Sequence, residues 1–182
     1  MDKTILIALV LGILIVSVIA ISTISIPSYT VLEEPETMAD IKMKANVFVS
    51  KNGVLIYEGH NVFTDAGKEH VEAFLGTLSA TGSPANYIAV GNGTAPVAGS
   101  TTLNLEIATA GLTRASGTYS STGTGAWKIE KVFSVTGTVN SINSTALFNA
   151  SSSGTMLAGD TFTNTNVASG DSLNISWTLS VA

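Results

Sequence analysis

The last ten residues before the C-terminal alanine constrain this chain more than any other stretch. Between 172 and 181, Leu173, Ile175, Trp177, Leu179 and Val181 alternate with Asn174, Ser176, Thr178 and Ser180. Successive side chains of a strand point to opposite faces, so this pattern describes a strand with one dry and one wet face. Related patterns recur upstream. Trp127, Ile129, Phe133 and Val135 share a face over 127–135, and 144–149 and 155–163 read as strands joined by a turn at 151–154. Residues 87–91 form a short apolar strand, while 103–108 fit a helical turn or a strand equally well. Residues 46–50 and 54–58 flank Asn52-Gly53, a pair that supplies the positive φ angles of a tight hairpin turn.

One helix is expected, over 65–78. There Val71, Phe74, Leu75 and Leu78 fall at i, i+3, i+4 and i+7, Thr64 or Asp65 can cap the start, and Gly82-Ser83-Pro84 stops it. The fold class is therefore mainly β: an antiparallel β-sandwich or jelly roll with one amphipathic helix and a hydrophobic N-terminal segment.

That N-terminal segment sets the location. No charged residue occurs from Thr4 to Leu32, and the most apolar part, 5–21, follows Lys3. Two readings stand side by side. Residues 1–20 are a signal peptide cut before Ile21 after the small residues Val18 and Ala20, or a retained membrane-anchor or filament-core helix. Either one exports the remainder, so a secreted, cell-surface location is expected. Residues 21–40 form an extension. Ile21, Ile24, Ile26, Tyr29 and Val31 supply the apolar side chains of an extended strand broken at Pro27, and Glu33, Glu34, Glu36 and Asp40 make an acidic linker. An apolar strand on a tether reads as a membrane-proximal stalk or as a donor strand that pairs with a neighbouring subunit's sheet edge. Residues 41–182 make the β domain.

Only 12% of the 182 residues are charged, against about 25% in an ordinary globular protein. Serine and threonine cover the outer faces instead, leaving sheet edges without the lysines and glutamates that normally discourage pairing. A net charge of −5 argues against a nucleic-acid partner. The absence of cysteine excludes disulfides, thiolate metal sites and cysteine nucleophiles.

The remaining chemistry is sparse. His60 and His70 stand near Asp65 and Glu69, but without the spacing of a helical metal site. Gly91-Asn92-Gly93-Thr94 has no following lysine and reads as a turn, not a phosphate loop. Glu58, Glu106 and Glu130 carry no pattern that pairs them. Calcium at subunit junctions is the least implausible ligand, with the acidic linker its source. No catalytic residue, cofactor, metal or small-molecule substrate is expected. Asn92, Asn143, Asn149 and Asn174 each begin an Asn-X-Ser/Thr sequon and are glycosylation candidates in an exported chain.

Several stretches resemble a known family. They are Asn61–Gly67, the run from Tyr87 to Pro96, Thr102 to Ile107 with Arg114, and the closing segments Ala146–Ala150, Gly154–Ala158, Thr161-Phe162, Val167, Gly170–Leu173 and Ile175–Leu179. Together, over about residues 61–181, they resemble phage tail-fibre and related virion proteins. The resemblance implies a structural role and assigns no binding residue. Tail proteins assembled in the cytoplasm carry no export signal, and here the chain departs from them. A leader, an apolar N-terminal strand and a Ser/Thr-rich sandwich resemble secreted donor-strand filament subunits of archaea and bacteria. The expected function is an exported subunit, with itself as partner and a cell-envelope anchor in addition, that polymerises head to tail into a filament or pilus-like appendage. The alternatives are a viral tail-fibre or capsid structural protein, and a type IV-like pilin with a retained N-terminal helix.

Overall fold

The computed structural model describes residues 42–76 and 82–181. The leader and the donor-strand candidates Ile21, Ile24, Ile26, Tyr29 and Val31 lie outside the described residues, as do the linker acids and Leu78. No helix among the described residues is long and apolar enough to cross a membrane.

Two five-stranded antiparallel sheets pack face to face. The first runs β2 (Val54–His60), β1 (Met43–Lys51), β10 (Ser172–Val181), β7 (Ala126–Ser134), β6 (Thr118–Gly123). The second runs β3 (Val62–Phe63), β9 (Met156–Val167), β8 (Val139–Phe148), β4 (Tyr87–Gly91), β5 (Ala115–Ser116). The first and last strands lie side by side, Met43 opposite Val181 and Lys51 opposite Leu173. Both lateral corners are turned by chain that changes sheets, from β2 to β3 at Asn61 and from β5 to β6 at Gly117. Such corner strands tie one sheet to the other.

The alternation in β10 becomes the core. Leu173, Ile175, Trp177 and Leu179 are buried against Val47 and Val49 of β1 and against Ile88, Val90 and Leu147 of the opposite sheet. The hairpin turn is as expected, with Asn52 and Gly53 both at positive φ (51° and 79°).

Sheet two carries a second, smaller core on its outer face. Ala89, Leu103, Ala146, Phe148 and Met156 cluster there, under the segment that joins β4 to β5. Strand β4 is therefore apolar on both faces, as a strand covered on both sides must be. The undecided stretch 103–108 is neither helix nor named strand. It lies along β4 through one antiparallel bridge, Gly91 to Glu106, and the Ile107 amide donates to the Val90 carbonyl at 2.9 Å.

The helix α1 (Asp65–Gly76) begins where expected, and Thr64 caps it, accepting from the Gly67 amide at 2.9 Å. Its packing differs from the amphipathic expectation. Gly67 is its buried residue, Val71 is half-buried, and Phe74 and Leu75 are 42% and 78% exposed. The reason lies at its start. The Thr64 hydroxyl donates to the Met156 carbonyl, the Thr64 amide donates to the Leu157 carbonyl at 3.0 Å, and a Cβ at Gly67 would run into that same Leu157 backbone. The first turn is pressed onto β9, and the last turn stands clear of the core.

Candidate assembly surface

Three features face outward and are not consumed by the fold. The first is an apolar groove of about 720 Å³ at one end of the sandwich. Val71, Phe74 and Leu75 of α1 form one wall, Tyr119 of β6 and Trp127 of β7 the other, and Ile129 and Leu157 the floor. Among the described residues no Asp, Glu, Lys or Arg lines it, and His70 is part of the lining. Contiguous exposed apolar surface of this kind marks a site of interaction.

Beside the groove runs the free edge of β6. Among the described residues this strand is hydrogen-bonded to β7 on one side and is terminal in its sheet on the other. Its sequence, TYSSTG, has no charge and no proline, and Tyr119 is 63% exposed. It lacks the residues that usually block strand addition. The opposite edge, β2, differs in carrying Glu58 and His60.

The third feature is the tip of the β1–β2 hairpin. Val54, Leu55 and Ile56 are 64%, 54% and 36% exposed in succession. The register slips between Val49 and Ser50, where Tyr57 and Leu55 take the opposing positions and Ile56 is the extra residue of a bulge.

The titratable groups, by contrast, are mostly held in internal bonds. Arg114, its side chain 7% exposed, is paired with Glu106 through both guanidinium Nε (2.9 Å to Oε1) and Nη2 (to Oε2). Its Nη1 donates to the carbonyls of Ala150 (3.3 Å) and Ser153 (2.7 Å), and its plane lies 3.5 Å from the Phe148 ring centroid. The Glu106–Arg114 pair is thus a staple from the β4–β5 segment to the β8–β9 turn. The Gly-Asn-Gly-Thr turn is likewise internal: the Asn104 side-chain oxygen accepts from the Thr94 amide at 3.1 Å, in space that a side chain at Gly93 would fill.

Tyr57 donates to Asp160 at 3.1 Å. Burial and the neighbouring carboxylate push the Tyr57 hydroxyl up to about 12, and burial raises Asp160 above its ordinary range. Glu130, bonded by Asn174 and Lys128, is lowered. Asp171 is held down at about 2 by bonds from the Asn52 side chain, the Ala168 amide and Lys51.

The two histidines are not brought together. His60 bonds the Asn46 side-chain oxygen at 2.8 Å, and His70 packs edge-on against Phe74 with centroids 4.9 Å apart. Among the described residues no group of three potential metal ligands converges. The sequons separate by environment. Asn92 is exposed in a turn. The side-chain nitrogens of Asn143 and Asn174 are already donated, to the Gly93 carbonyl and to Glu130, and the Asn149 side-chain oxygen accepts from the Thr155 amide.

Sequence reasoning missed the groove and the exposed hairpin tip. A signal for the tip was present: Val54, Leu55 and Ile56 are consecutive apolar residues, and a half-buried strand can hide only alternate ones.

Compared with protein-family models, curated proteins and solved structures, the chain matches none.

Proposed function

We propose that this chain is an exported structural subunit that joins copies of itself head to tail into an extracellular filament or pilus-like appendage. The observation that carries this reading is the uncharged free edge of β6 running beside an uncharged apolar groove. An added strand along β6 would gain main-chain hydrogen bonds, and every second side chain would face the groove side of the sheet. Residues 21–32 have the composition of such a strand. They lack charge, and ten residues, 33–42, separate them from Met43, a tether of about 36 Å when extended. Because donor and acceptor are different parts of one chain, the contact is heterologous and repeats into an open fibre unless it closes into a ring.

Deletion of residues 21–34 tests the reading. The domain is expected to keep its thermal melt while the sedimenting, filamentous fraction disappears; filaments persisting in electron micrographs of the deletion would reject strand donation.

A viral tail-fibre or capsid role is the second reading. It draws on the resemblance of residues 61–181, whose motif residues Glu106 and Arg114 serve internal architecture. Detection of the chain in virions and not on cell surfaces would select it.

A further inference from the structure

We propose that the β1–β2 hairpin tip of one copy seats in the apolar groove of the next copy. The inference rests on the self-assembling reading above and assigns it a second contact, distinct from strand donation.

The two features lie at opposite poles of the same pair of strands. Met43 and Val181, the paired ends of β1 and β10, line the groove. Lys51 and Leu173, eight steps along the same strands, mark the hairpin end, roughly 27 Å away at about 3.4 Å per residue. A plug at one pole and a socket at the other cannot meet within one molecule. Between copies they define a head-to-tail contact, which propagates.

Charge is matched on both sides. Among the described residues the groove lining, which includes His70, has no Asp, Glu, Lys or Arg, and the stretch Asn52, Gly53, Val54, Leu55 and Ile56 has none either. Lys51, the nearest cation, is held internally, 3.1 Å from Asp171 and 2.9 Å from the Asn166 carbonyl. Seating the tip therefore buries no unpaired charge, which would otherwise oppose docking.

The tip is also braced before it binds. The Asn52 amide nitrogen donates to Asp171 at 2.8 Å, its side-chain oxygen accepts from the Ser172 amide at 2.8 Å, and its backbone amide donates to the Ser172 carbonyl at 2.9 Å. A preorganised plug loses little conformational freedom on docking. With the hairpin seated in the groove, the β6 edge is left to the donor strand.

The full-length chain contains no cysteine, so introduced thiols pair only with each other. Leu55→Cys chains are mixed with Leu75→Cys chains under mild oxidation, with Thr163→Cys chains as an exposed control for either partner. A Leu55–Leu75 linked dimer is expected to form about tenfold faster than either control pair, and Leu55→Asp is expected to raise the concentration needed for assembly about tenfold. Both leucines are more than half exposed, so these changes spare the core. If the wild-type chain assembles but Leu55–Leu75 links form no faster than the controls, or if Leu55→Asp assembles normally, the hairpin contact is overturned and strand donation survives. If Ile26→Cys links to Leu75→Cys in its place, the N-terminal segment fills the groove and the inference is likewise overturned. A wild-type chain that stays monomeric at every concentration defeats the self-assembling reading itself.

Discussion

Arg114 is the chain's single arginine, and its contacts explain why a charge-poor domain keeps a nearly buried cation. Glu106, two main-chain carbonyls and the Phe148 face account for most of its binding capacity. Removing one member of such a pair strands the other, so Arg114→Ala is expected to lower stability by about 3 kcal/mol. Urea denaturation would read this as a lower midpoint at unchanged slope. Gly67 acts through sterics alone. Gly67→Ala places a methyl group in the Leu157 backbone and is expected to cost about 3 kcal/mol in the same measurement, because backbone cannot move aside as a side-chain end can. Asp171 links residue chemistry to pH. Its folded value of about 2 lies below the ordinary 3.8, so its contribution is present above pH 4 and is lost as pH falls through 2. The melting-temperature gap between wild type and Asp171→Asn is therefore expected to be widest above pH 4 and to close near pH 2.

At the level of elements, legibility followed periodicity. Strand β10 was readable from its alternation, which places Leu173, Ile175, Trp177 and Leu179 in the core; it failed at Val181, which is 41% exposed at the strand's end, and at Ser176, which is buried on the other face. The hairpin turn was readable because Asn52-Gly53 has few other uses. The helix was legible as a helix but not in its packing. Phe74 and Leu75 satisfy the pattern of a core-facing stripe, yet the helix is anchored by Thr64 and Gly67, and its apolar end borders the groove. The second core was hidden for a different reason. Its member Leu103 lies in irregular chain, where spacing carries no information about neighbours. Glu106 and Arg114 stand eight residues apart with no shared period, so their pairing appears only when the β4–β5 segment folds back. The edge expectation holds for β6 in that it lacks charge, while the corners at Asn61 and Gly117 join the sheets on both sides. A gatekeeper placed on that edge tests its role. Ser120→Lys is expected to leave the melt unchanged and to reduce filament formation severalfold by sedimentation, because a solvated charge obstructs strand addition.

Across the described β domain, the outward features form a polar arrangement: groove and β6 edge toward one end, hairpin tip at the other, with many of the titratable side chains engaged in internal bonds. The exposed surfaces are apolar and main-chain in character, and they suit such contacts better than ionic ones. Export and assembly are separate parts of the account, and the native N-terminus bears on the first. A mature chain starting near Ile21 fits strand donation, whereas an intact N-terminus fits an anchor or a pilin-like core. The most direct measurement is electron microscopy of the native material with density resolved for the N-terminal forty residues. The account predicts a polar fibre in which residues 21–32 of each copy lie as a strand along the β6 edge of its neighbour. Single, dispersed copies of the protein within the cytosol would contradict it.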